Sequence, residues 1–118
     1  MVHIDLFRNE TEFDTFDAGE TIFSEGETGH LMYVVLEGRV RLSVKNVEVD
    51  VLDAGGVLGE MSLIDAGPRS ATATAITACK LVPITEQRFM FMVQQTPKFA
   101  LQIMRVVADR LRAMDKRL

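Results

Sequence analysis

Glu60 and Arg69 are the two residues best placed to do chemistry together, within the segment GEMSLIDAGPRSATATA at 59–75. A carboxylate accepts hydrogen bonds from hydroxyls, including those of a sugar. A guanidinium offers a planar fork of donors that matches phosphate oxygens. Gly59 lets the backbone come close to a ligand. The stretch Glu60–Ile64 is long enough for one or two helical turns, whose first amides lack internal partners and suit an anion. Asp65-Ala66-Gly67-Pro68 then returns the chain to Arg69, and Ser70 adds a hydroxyl and an amide beside it. Behind them Ala71, Ala73 and Ala75 leave room that larger side chains would fill. One anion site, one diol site and one flat apolar space describe a nucleotide. The residue types alone also allow Arg69 to pair with Glu60 or Asp65 and merely close a loop, at little gain in stability.

Other reactive side chains point away from catalysis. Cys79 lies between Ala78 and Lys80 with no histidine near it in sequence, which fits a small core residue better than a nucleophile. A single cysteine forms no intramolecular disulfide and fits a reducing compartment, so a cytoplasmic location is expected. His3 and His30 are too few and too scattered for the clustered ligands of a metal-dependent enzyme, and no metal site is expected. Met90, Met92, Met104 and Met114 suit core or interface packing. No nucleophile–base pair is evident, so no catalytic residue is assigned.

The composition, 47% hydrophobic and 25% charged over 118 residues, is that of a soluble globular chain able to close one core. No apolar run approaches a membrane span. The formal net charge of −4 argues against nucleic acid as a direct partner. Arg105, Arg110, Arg112, Lys116 and Arg117 make the end of the chain basic, a feature expected to be a solvated face.

The elements that must hold these residues come in two kinds. From about Thr11 to Ile84 the dominant period is two, with glycines as punctuation. FDAGETIF predicts a strand, a turn at Ala18-Gly19 and a second strand. SEGETG is a polar loop, and LMYVVLEG a mostly buried strand ending at Gly38. Val40, Leu42 and Val44 alternate with polar residues, turn at Lys45-Asn46, and continue through Val47, Val49 and Val51 as a hairpin with one wet face. Ala71–Ala75 and Cys79–Ile84 complete the strands. After Pro83 the period becomes helical. Thr85 is the expected N-cap of a helix carrying Phe89, Met92 and Val93, and Thr96-Pro97 opens a second one. Along that last helix Ala100, Met104, Val107, Leu111, Met114 and Leu118 form a seam for the chain's own strands or for a partner helix.

GEMSLIDAGPRSATATA resembles the phosphate-binding cassette of cyclic nucleotide-binding domains, with its Gly-Glu-hydrophobic opening, short gap and Pro-Arg-small-Ala-Thr close. FDAGETIFSEGETGHLMYVVLEGRVRL resembles the start of the same family, so the similarity runs from about Phe16 to the final helix. The resemblance implies a mainly β fold with flanking α-helices: an antiparallel β-roll of about eight strands. One domain would span 1–118, the roll at about 11–84 and the C-terminal helical part at about 85–118. By the same resemblance Arg69 holds the exocyclic phosphate oxygens and Glu60 the ribose 2′-hydroxyl. Gly59 and the amides of Ser70 and Ala71 complete the anion site. Val57, Leu58, Met61, Val44 and Ala73 lie near sugar or base. With no Ser or Thr after Thr96, the base is capped by Arg110, Arg112 or Leu111.

The function so implied is that of a non-enzymatic sensor whose ligand is cAMP, with cGMP as the alternative, and which needs no other cofactor. Binding moves the C-terminal helices and so controls a partner or an attached effector. A parallel homodimer through the last helix offers a second outlet. The competing expectation is a roll without ligand that serves dimerisation or docking.

Overall fold

The run MYVVLE is apolar almost throughout because the strand it forms is covered on both faces. In the computed structural model, which describes residues 4–117 and side chains as far as residue 113, it is one of eight strands. These are β1 (Asp14–Phe16), β2 (Thr21–Phe23), β3 (Met32–Glu37), β4 (Val40–Val44), β5 (Val47–Leu52), β6 (Val57–Leu58), β7 (Thr72–Ala75) and β8 (Cys79–Ile84). The helices are α1 (Glu60–Asp65), α2 (Glu86–Gln95) and α3 (Lys98–Arg117). His3, Leu118 and the side chains from Met114 onward lie outside the described residues.

Two antiparallel four-stranded sheets form the roll, ordered β1-β8-β3-β6 and β2-β7-β4-β5. Alternation along β3 and β8 separates two cores. Tyr33, Val35, Cys79 and Leu81 face the interior of the roll with Phe23, Val40, Leu42, Leu52 and Leu58. Met32, Val34, Val82 and Ile84 face outward, where Phe99, Ile103 and Val106 of α3 cover them together with Ile4 and Phe7. Sequence periodicity places the start of the roll at about residue 11, whereas β1 begins at Asp14. Among the described residues before it, the two buried ones, Ile4 and Phe7, belong to the helical side.

The β4–β5 hairpin turns at Lys45-Asn46 with both residues at positive φ (51° and 66°), the two-residue turn whose twist suits a hairpin. Its alternation is less regular than expected. Opposite Leu42 and Ser43 the register shifts by one residue, leaving Val49 as the extra residue of β5; Ser43 is buried and Val47 is 51% exposed. The Thr85 hydroxyl accepts from the Arg88 amide at 3.1 Å, capping α2 as its sequence predicts. Phe89, Met92 and Val93 pack on the outer core.

The last helix docks one residue out of the expected register. Its buried positions are Phe99, Ile103 and Val106, while Met104 and Leu111 of the expected seam are 63% and 50% exposed. Among the described residues, no helix is long and apolar enough to cross a membrane.

Candidate functional site

Helix α1 starts directly after Gly59, whose φ of +79° is the left-handed conformation that glycine tolerates best. A Cβ on Gly59 would also stand 2.7 Å from Nη1 of Arg69. The sharp entry turns Glu60 inward, where it is 1% exposed. Arg110 reaches from α3 to meet it, donating from Nη1 to Glu60 Oε1 and from Nη2 to the Val57 carbonyl. The Arg110 Nε lies 4.0 Å from Oδ2 of Asp50 on β5. Arg110 thus ties α3 to α1, β6 and β5.

Arg69 is 6% exposed, so it is set inside the roll and not at its mouth. Its main chain pairs with the loop after β2, accepting from the Gly26 amide and donating to the Glu27 carbonyl, each at 2.8 Å. Its Nη1 donates to the carbonyls of Leu31 at 2.7 Å and Gly59 at 3.4 Å. The guanidinium lies 4.1 Å from the centroid of the Phe23 ring, a cation–π contact. A side chain at Gly29 would collide with its Nε. Arg69 forms no ion pair among the described residues, so the loop-closing pair with Glu60 or Asp65 is not formed. Burial holds the guanidinium below the usual arginine range, and Tyr33, Glu27 and Glu60 push it back upward.

These residues frame a small open cavity of about 30 Å³ lined by Phe23, Leu42, Gly59, Glu60, Met61, Ser62, Arg69, Ser70, Ala71 and Arg110. A second cavity of about 100 Å³ shares Leu42, Met61, Ser70, Ala71 and Arg110 with it. That second cavity continues past Val44, Val49, Asp50, Leu111 and Ala113 and is largely apolar. A small chamber that carries the charged groups therefore adjoins a larger apolar annex. The chamber offers a cation with a free edge and a carboxylate with a free oxygen. The annex offers a greasy surface for something flat.

Of the residues singled out by sequence, Gly59, Glu60, Met61, Arg69, Ser70 and Ala71 line this space, and Val44 lines the annex. Val57, Leu58 and Ala73 do not. Val57 packs in the outer core and meets the site only through its carbonyl, while Leu58 and Ala73 pack in the roll interior. Ala73 and Ala75 are fully buried, so their small size lets β7 pack tightly and does not enlarge a pocket. Of the three proposed base caps, Arg110 is engaged with Glu60 and Leu111 lines the annex. Arg112 points to solvent beside Asp109, 77% exposed.

Sequence reasoning passed over Ser62, Asp50, Phe23 and Gly29. Ser62 carried a usable signal, being the one hydroxyl in an otherwise apolar run. The others are brought in by β5, by the end of β2 and by the β2–β3 loop, all outside the cassette.

A family model described as "Cyclic nucleotide-binding domain" matches residues 13–96. A CRP-like cAMP-activated global transcriptional regulator of Mycobacterium tuberculosis is 30% identical over 108 residues, which cover 87% of this chain and 48% of that protein. The cyclic AMP receptor protein of Thermus thermophilus is 30% identical over 117 residues, 95% of this chain and 54% of that one. A solved structure, the catabolite activator protein of Thermus thermophilus, superimposes with a TM-score of 0.79 at 30% identity, covering 96% of this chain and 55% of that one. A cyclic nucleotide-gated potassium channel of Rhizobium etli is 36% identical over 93 residues, 79% of this chain and 26% of that protein. The chain spans about half the length of the two curated regulators it matches. The cassette, the two-sheet roll and the match across residues 13–96 agree, and the chain belongs to the cyclic nucleotide-binding domain family.

Proposed function

We propose that this chain is a cytoplasmic, non-catalytic sensor of cyclic nucleotide, cAMP in preference to cGMP, and that binding displaces α3 to act on a partner or an attached effector. One observation carries the proposal. Among the described residues, four buried side-chain polar atoms lack a hydrogen-bond partner: Glu60 Oε2, Ser62 Oγ, Arg69 Nε and Arg110 Nε. All four belong to residues lining the same chamber. Buried polar groups are nearly always satisfied, so their convergence on one space calls for a polar ligand there.

In this reading Arg69 Nε meets a phosphate oxygen, assisted by the amides of Ser70 and Ala71. Glu60 Oε2 accepts from the ribose 2′-hydroxyl, and the base enters the annex beside Val44, Met61 and Leu111. Arg110 supplies the route to α3, since it already holds the carboxylate that the ribose engages. A ligand shifts a conformational equilibrium only through contacts that differ between the states, and the Glu60–Arg110 contact is such a contact. The relatives named for cAMP support the choice of base. Regulator and channel among the relatives support an effector that differs from protein to protein.

Calorimetric titration of the nucleotide-stripped protein with cAMP and with cGMP tests the proposal and suits a chain with one tyrosine and no tryptophan. Saturable binding, tighter for cAMP, is the expected result. Tighter cGMP binding reverses the base assignment. Absence of heat with both ligands overturns the sensor and favours the docking module.

The outward face of α3 supports self-association as well. Leu101, Met104 and Leu111 are exposed along it at coiled-coil spacing, a stripe that a second copy of the same helix would match. Sedimentation velocity is expected to show a dimer that Met104→Glu converts to monomer. A monomeric wild type at all accessible concentrations rules this contact out.

A further inference from the structure

We propose that Gly29, on the loop between β2 and β3, is a positioning residue for Arg69. Its missing side chain leaves a slot in which the guanidinium lies against Phe23, with the Nε–Nη2 edge turned to the ligand. The inference rests on the cyclic-nucleotide reading above and adds to it a residue outside the cassette. Backbone conformation does not explain this glycine. Gly19, Gly26, Gly38, Gly55 and Gly59 have positive φ, and Gly29 does not. Space explains it. Beyond its chain neighbours, the three atoms nearest to a Cβ at Gly29 would be Nε, Cζ and Nη2 of Arg69, the farthest of them at 2.6 Å. That is well inside van der Waals contact.

The order of those distances gives the direction of approach. Cζ is nearer than Nη2, whereas a group arriving in the guanidinium plane at the Nε–Nη2 edge would find the central carbon farthest. Gly29 therefore covers a face of the guanidinium and leaves that edge open. Phe23 forms the other wall, its ring centroid 4.1 Å from Cζ. Tyr33 stacks on Phe23 with 6.5 Å between centroids, and both side chains are buried. Among the described residues, Nη1 makes both of the guanidinium's hydrogen bonds, to the carbonyls of Leu31 and Gly59. Nε, buried and without a partner, stays on the open edge. Two walls and one anchored nitrogen thus fix the plane and turn a matched pair of donors to an anion. Because the guanidinium ends a flexible side chain, an alanine at 29 would push it aside and leave the roll standing. What is lost is the aim of the fork, prepared before the ligand arrives.

The experiment is a cycle of four proteins: wild type, Gly29→Ala, Arg69→Ala and the double variant. Thermal midpoints are read on all four, and nucleotide-stripped wild type and Gly29→Ala are titrated with cAMP in the calorimeter. Gly29→Ala is expected to bind cAMP at least about tenfold more weakly, the loss of one hydrogen bond to a charged group. Its midpoint is expected to fall in the wild-type background and to hold or rise when Arg69 is absent, since alanine then fits and restricts the unfolded chain. An equal change in both backgrounds, or a double variant that unfolds where Arg69→Ala folds, shows a glycine that does not act through Arg69 and overturns the proposal. Unchanged cAMP affinity in a folded Gly29→Ala overturns it too, and leaves the sensor standing. If Gly29→Ala alone fails to fold, a double variant that folds supports the slot, because removing Arg69 has removed the collision. A wild type that binds no cAMP removes the nucleotide reading, whereas the midpoint cycle still decides whether Gly29 serves Arg69.

Discussion

Replacing Arg69 by alanine should weaken cAMP binding by about two orders of magnitude or more, the largest loss expected from any single change at the site. Hydrogen bonds to charged groups contribute about 1.5–3 kcal/mol each, and a phosphate engaged by a guanidinium gains charge attraction as well. A total near 3 kcal/mol corresponds to a factor above about a hundred in Kd. The guanidinium is also held in advance. Nη1 is committed to Leu31 and Gly59, and Phe23 supports the plane, so little ordering remains to be done when a ligand arrives. Arg69→Lys keeps the charge but not the fork, and should fall between wild type and alanine. Calorimetry gives the affinities, and a thermal melt of the same samples separates lost binding from lost folding. A modest fall in the midpoint is expected for Arg69→Ala, because the Leu31 carbonyl loses a donor and Phe23 loses its cation. Full retention of cAMP affinity in this variant would sink the phosphate assignment.

The second large effect is on stability. Arg110→Ala strands Glu60, whose side chain is 2% exposed, as a buried carboxylate without its cation. Breaking a buried pair from one side costs about 3–5 kcal/mol in comparable cases. The reverse change should cost less. Arg110 is 14% exposed at its side chain and has Asp50 4.0 Å away, so in Glu60→Gln it retains a partner and a path to water. The double variant Glu60→Gln/Arg110→Met is expected to recover most of the loss, since neither charge is then left alone. Urea unfolding of the four proteins reads the comparison directly. Equal and additive losses would mean that the two side chains do not act as a pair.

Much of the roll could be read from local chemistry. Lys45-Asn46 marks its hairpin turn because both residues accept positive φ, and β3 shows its two-sided burial in a run with hardly a polar residue. Strand partnership was another matter. β1 and β2 are separated by one turn yet pair with β8 and β7 in different sheets, a choice made by distant strands. The register of α3 was ambiguous for a different reason. Phe99, Ile103 and Val106 satisfy helical spacing as well as Ala100, Met104 and Val107 do, so two adjacent stripes competed for the core. Packing against Met32, Val34, Val82 and Ile84 selects the first, and it turns Arg110 toward Glu60. At the site, the cassette announced Glu60 and Arg69 because their neighbours in sequence are also their neighbours in space. Asp50, Phe23 and Gly29 are assembled from other strands and loops, where no local pattern reports them.

The two ends of the described chain share one body. Ile4 and Phe7 lie in the same apolar cluster as Phe99, Ile103 and Val106, with the rings of Phe7 and Phe99 edge to face at 6.2 Å. Arg88 of α2 clasps Glu10 at 3.2 Å and covers Phe7 with its guanidinium. The roll keeps a separate interior core, closed by its own two sheets. The molecule thus has two cores, one inside the roll and one under the helices, and both ends of the described chain belong to the second. If binding displaces α3 as proposed, a segment fused ahead of Ile4 and one fused beyond α3 would be anchored to the same displaced core.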